Sequence, residues 1–149
     1  GCGIAGTDIY LSKHYNYEPH LYLLDKTLTN KRVYYNYNPK GAFYNSLESA
    51  REFLSINDVP ERKIHLIEVP DDFYINVPSG IDLVISLISW GFHYPLETYF
   101  DQVYNLLNKN GHLILDLRES KGLNEIKSKF SSVKQILKAE KSIRILAVK

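Results

Sequence analysis

Gly1-Cys2-Gly3-Ile4-Ala5-Gly6 opens the chain, and His20-Leu21-Tyr22-Leu23-Leu24-Asp25 follows as a short apolar run closed by an acid. The first stretch fits G-x-G-x-x-G literally. Glycine suits such a loop because the backbone must turn tightly and approach a ligand with no side chain in the way. The helix start behind it offers unpaired N–H groups to an anion or carboxylate. The second stretch reads as a buried parallel strand. Its Asp25 stands about 20 residues beyond the loop, where an acid accepts both ribose hydroxyls of an adenosine cofactor. Together the two predict an adenosine site; read singly they are a structural turn and a capping Asp.

Working outward, strand and helix patterns alternate. Tyr10 to Tyr15 continues the loop as a short helix. Residues 26–45 are polar and rich in tyrosine, with a turn at Asn38-Pro39-Lys40-Gly41; Tyr34, Tyr35, Tyr37, Phe43 and Tyr44 are packing or stacking candidates. Ser46 caps a helix through about Ile56, whose Leu47, Ala50, Phe53 and Leu54 recur at helical spacing. Ile64 to Val69 is the next strand, and Ile81 to Trp90 reads as one central strand. Pro95 to Leu107 carries a helical stripe, ended at Asn108-Lys109-Asn110-Gly111, with Gly111 suited to the left-handed position. His112 to Leu117 is a strand, Leu123 to Phe130 a helix, and Lys134–Ala139 with Ile143–Val148 a closing hairpin. The pattern predicts an α/β, Rossmann-like open sheet, mostly parallel, with an antiparallel C-terminal hairpin.

Composition narrows the function. The 149 residues suit one domain, 1–149, with a net charge of +1 and one cysteine, which excludes a disulfide-stapled secreted scaffold and points to a reducing, cytoplasmic setting. No apolar run approaches the roughly 20 residues needed to span a bilayer. Basic residues gather after position 108 (Lys121, Lys127, Lys129, Lys134, Lys138, Lys141, Arg144), which reads as a solvated face more than a phosphate-binding one. His14, His20, His65 and His112 lie on different elements without metal-ligand spacing, so no metal is expected. The sequence holds no Met and begins on a glycine loop that ordinarily follows a strand, so a first strand is expected upstream of Gly1, making the chain an N-terminally truncated fragment.

Nicotinamide dinucleotides and S-adenosylmethionine share the loop-and-acid signature. Asp82-Leu83-Val84-Ile85-Ser86-Leu87-Ile88-Ser89-Trp90, a helix, then Asn108-Lys109-Asn110-Gly111-His112-Leu113-Ile114-Leu115 resembles the class I S-adenosylmethionine-dependent methyltransferase family. The closing hairpin resembles it too, since that family inserts its last strand antiparallel. Two departures stand out: Ala5 replaces the third glycine of GxGxG, and the acid two residues before the first glycine has no counterpart.

The resemblance implies S-adenosylmethionine as cofactor, with Gly1, Gly3 and Ala5 against its methionine part. It implies Asp25 on the ribose, Lys26 and Thr27 bordering the adenine, and Asp71 receiving the adenine amino group, with Asp72 and Glu68 as alternatives. Ligands of open α/β sheets lie beyond the carboxyl ends of the strands. That places Ser89 to Tyr94 beside the acceptor, with His93 as candidate base and Trp90, Phe92 and Tyr94 as pocket walls or core. Cys2 reads as structural. The expected activity is methyl transfer to a small-molecule or glycan hydroxyl or amine, with nucleic acid not expected. The alternatives are an NAD(P)-binding domain and a non-catalytic methyltransferase-like partner.

Overall fold

The computed structural model describes residues 1–29 and 44–149. The expectations for Tyr34, Tyr35, Tyr37, Phe43 and the turn at 38–41 lie outside them. The chain divides into two compact units; among the described residues the first holds 1–29 and 44–76, the second 77–149.

In the first unit, helix α1 (Gly6–His14) leads to strand β1 (Leu21–Asp25). A short antiparallel pair follows, β2 (Leu28–Thr29) with β3 (Tyr44–Asn45), then helix α2 (Leu47–Ser55) and strand β4 (Ile64–Glu68). The Ser46 side chain caps α2 by accepting from the Ser49 N–H at 3.2 Å. Leu47, Ala50 and Leu54, on one helical face, are buried with Leu21, Leu23 and Ile64 of the strands and Ile9 of α1. Strands β1 and β4 pair in parallel, Asp25 opposite Glu68. At their amino ends His20 and His65, which belong to different elements, meet with ring nitrogens 2.9 Å apart. A parallel register of adjacent strands makes neighbours of residues far apart in sequence.

In the second unit, strand β5 (Ile81–Ser86) pairs in parallel with strand β7 (Leu107–Arg118). Strand β9 (Ser142–Val148) lies antiparallel between β7 and edge strand β8 (Ser132–Lys138), giving the order β5-β7-β9-β8. The register sets Leu113, Leu115 and Leu117 of β7 opposite Ala147, Ile145 and Ile143 of β9. All six are buried, so the two strands turn matching faces to the core partner by partner. Helix α3 (Phe100–Leu106), entered through a 3-10 turn at Leu96–Thr98, and helix α4 (Leu123–Lys129) add Phe100, Val103 and Ile126 to this core. Among the described residues no ladder joins β1 to β5.

Two expectations need correction. The apolar run Ile81 to Trp90 is not one strand: it breaks at Leu87-Ile88, and a separate extended segment, β6 (Ser89–Tyr94), follows. The Ser86 hydroxyl accepts the Trp90 N–H at 3.0 Å and so closes the bend. Nor does Gly111 take the left-handed position, which falls to Asn110 at φ +66. Glycine serves at 111 for space, because a Cβ there would stand 2.9 Å from Asn108 O and 3.1 Å from Ile81 O.

Candidate functional site

The glycine loop folds onto the carboxyl end of β1. The Cys2 N–H donates to Leu24 O at 3.0 Å, Gly3 turns through φ +55, and Ala5, at φ +59, caps α1. A Cβ at Gly3 would meet no protein atom within 4 Å, so the space over the loop is open to a ligand. Asp25 is the anchor beneath it. Its Oδ2 accepts the Gly3 N–H at 2.9 Å and its Oδ1 the Lys26 N–H at 2.8 Å. Both oxygens are thereby fixed in place, and each keeps lone pairs for further donors. Ala5 is 1% exposed, so it shapes the loop and offers a ligand no side-chain surface. Gly1 lies exposed at the loop's outer end.

The other expected cofactor residues gather at the same end. Lys26 Nζ meets Asp71 Oδ1 at 2.7 Å, and that ammonium holds the Asp71 carboxyl below its ordinary range. Glu68 is engaged nearby, its Oε1 accepting the Thr27 N–H at 2.8 Å. Burial, with Asp25 adding to it, pushes the Cys2 thiol up to about 12, so it stays protonated and is no nucleophile.

Two residues escaped the sequence reading. Asp8, in the first turn of α1, has its carboxyl raised by burial from 3.8 to about 6, its own backbone N–H pulling the other way. Phe73, two residues past Asp71, sits at φ +59 and leaves part of its ring exposed. The signal for Phe73 was available as an aromatic pair, Phe73-Tyr74, directly after the strand-end acids.

The second unit carries the expected acceptor residues. Phe92, His93 and Tyr94 are half-buried on β6, with the Phe92 and His93 rings edge-to-face at 5.2 Å and the Arg118 guanidinium 5.7 Å from the Phe92 centroid. Trp90 belongs elsewhere. It is 4% exposed and its indole N–H donates to Leu96 O at 2.7 Å, so it anchors the core rather than lining an acceptor pocket. The bend before β6 is held from β7: Asp116 Oδ2 accepts the Ile88 N–H at 3.2 Å. Arg144 of β9 grips the same carboxylate through Nε at 2.8 Å and Nη2 at 2.9 Å.

No family model and no curated protein matches the sequence. Solved structures do. A candidate O-methyltransferase from Nostoc punctiforme superposes with a TM-score of 0.67 at 16% identity, over 99% of this chain and 49% of its own. The S-adenosylmethionine-dependent methyltransferase SibL, in its apo form, gives 0.61 at 14% identity, over 100% and 48%. An rRNA methylase from Streptococcus thermophilus gives 0.58 at 13% identity, over 100% and 82%. The chain thus spans about half the length of the first two. The fold is that of the S-adenosylmethionine-dependent methyltransferases, with the antiparallel closing hairpin expected from the sequence.

Proposed function

We propose that this methyltransferase-fold chain binds S-adenosylmethionine through its first unit and methylates a hydroxyl or amine of a small molecule or glycan. The carrying observation is Asp25, whose two oxygens are fixed by the Gly3 and Lys26 N–H groups beside an open glycine loop. A carboxylate so held takes a pair of vicinal hydroxyls without reorganising. The antiparallel β9 between β7 and β8 favours this reading over NAD(P), whose binding domains are built on mostly parallel sheets. Bound S-adenosylmethionine supplies a methyl group on a cationic sulfur.

The chain's own residues then have distinct tasks. Gly3 and its loop receive the methionine part, Asp25 the ribose, and Lys26 with Asp71 borders the adenine. His93 takes the proton that the acceptor's oxygen or nitrogen loses, a task suited to imidazole near neutral pH. Phe92 and Tyr94 wall the acceptor. One cysteine fits work in the reducing cytoplasm. Among the described residues no helix is long and apolar enough to cross a membrane.

Calorimetry with S-adenosylhomocysteine and NAD tests the cofactor assignment. Homocysteine-analogue binding at least about 100-fold tighter is expected, a margin of about 2.7 kcal/mol; preference for NAD overturns the assignment. Once an acceptor is in hand, His93→Ala should slow turnover by about 100-fold or more. Intact turnover removes His93 as the base, and an RNA acceptor in the same assay replaces the small molecule or glycan.

A further inference from the structure

Ile88 stands where no fold requires an isoleucine. Its φ is +53, a region that a β-branched side chain enters only under strain. Its side chain is 58% exposed, so packing does not compensate. Nearby, glycine is used where backbone demands it: Gly91 sits at φ +82, and a Cβ there would lie 2.7 Å from Asp116 O. At 88 glycine or asparagine would make the same bend without strain.

The bend is nevertheless held firmly. Asp116, 3% exposed, spends a buried carboxylate on the Ile88 N–H, and Arg144 locks that carboxylate with two bonds. Ser86 closes the turn behind it through Trp90. A buried acid, a bidentate arginine and a serine therefore hold an apolar side chain out into solvent. It stands just past the carboxyl end of β5, where sheets of this class take ligands. Strain kept in place by its surroundings is a mark of functional positions.

We infer that Ile88 is a specificity-determining residue: it receives an apolar face of the acceptor that carries the reacting hydroxyl or amine. Asp116 and Arg144 are positioning residues that act through it. This rests on the methyltransferase reading and names the acceptor's chemistry within it.

The full chain, with S-adenosylhomocysteine present, is titrated with catechol, whose hydroxyls lie on an apolar ring, and with methyl α-D-glucopyranoside, whose ring is polar. Trp90, the only tryptophan, lies in the same bend, and its fluorescence reports binding. Catechol should saturate the signal at lower concentration than the glucoside. Ile88→Gly should raise the catechol midpoint at least tenfold while raising Tm, and Ile88→Leu should keep most of the affinity. Arg144→Lys, with one donor group in place of the guanidinium fork, should weaken catechol severalfold in the native background and leave Ile88→Gly unmoved. Tighter glucoside binding, an unchanged midpoint in Ile88→Gly, or no catechol binding at millimolar concentration overturns the inference. Calorimetry separates the two levels. If S-adenosylhomocysteine binds while catechol fails, the inference alone falls; if it does not bind, the cofactor reading falls and the inference with it.

Discussion

The two ends of the strands treat the left-handed backbone differently. Among the described residues, those other than glycine at positive φ towards the amino ends are Asn16, Tyr17, Asp58 and Asn110. Asn and Asp tolerate that conformation because their short polar side chains satisfy the nearby backbone, and Tyr17 packs against the core. Around the carboxyl ends the residues are Ala5, Phe73, Ile88, Glu119 and Ser120. None is of the tolerant kind, and only Ala5 is buried. One end uses the residues that make turns cheaply, and the other carries strained turns. In the first unit the Gly3–Asp25 contact lies at that unit's strained end, and in the second unit Ile88 lies at its own. The contrast is one that no sequence motif supplies.

The contrast can be broken in graded ways. The largest effect is expected from Asp116→Ala, which leaves Arg144 without its carboxylate and the Ile88 N–H without its acceptor. It should cost about 4 kcal/mol in a urea melt, and a loss under about 1 kcal/mol would show that the bend holds itself. Gly91→Ala comes next, at about 3 kcal/mol, since the new Cβ meets Asp116 O and adopts φ +82. Gly3→Ala is its counterpart in the first unit. With open space around it, it should cost only about 1 kcal/mol of stability yet weaken S-adenosylhomocysteine at least tenfold, because the methyl fills ligand space. Equal behaviour of the two alanine variants in melts and titrations would erase the distinction between a structural and a ligand-facing glycine.

The smallest effect belongs to Asp8. Its folded-state value of about 6 lies above the ordinary 3.8, so the folded chain holds the proton more tightly than the unfolded one. That contribution is fully present below about 3.8 and is lost as pH rises through about 6. Discounted for a carboxyl that is still partly exposed, the change is about 1 kcal/mol. Asp8→Asn should flatten this part of the stability profile and raise Tm at pH 8. An unaltered profile would place Asp8 in water.

Much of the fold was legible because it is written in burial. Leu21 and Leu23, Leu113, Leu115 and Leu117, and Ile143, Ile145 and Ala147 are buried in the strands that their apolar pattern predicts, and Ser46 caps the helix its position announces. What escaped depends on partners distant in sequence. The break at Leu87-Ile88 is invisible inside an apolar run, since the carboxylate that holds it lies 28 residues on, at Asp116. The same distance effect hid the meeting of His20 with His65 and sent Trp90 into the core. In the site, the glycine loop and Asp25 were marked by a spacing whose chemistry is general, whereas Asp8 had only its burial to mark it and Phe73 only an aromatic pair after the strand-end acids.

The claim on which the rest stands is that Asp25, set by the glycine loop, holds the cofactor's ribose. Calorimetry of S-adenosylhomocysteine against the native chain and Asp25→Ala tests it most directly, with a melt of each to confirm folding. Loss of the charged acceptor should weaken binding by roughly 100-fold, about 2.7 kcal/mol, with the variant still folded. Equal affinity of a folded Asp25→Ala and the native chain would contradict the account.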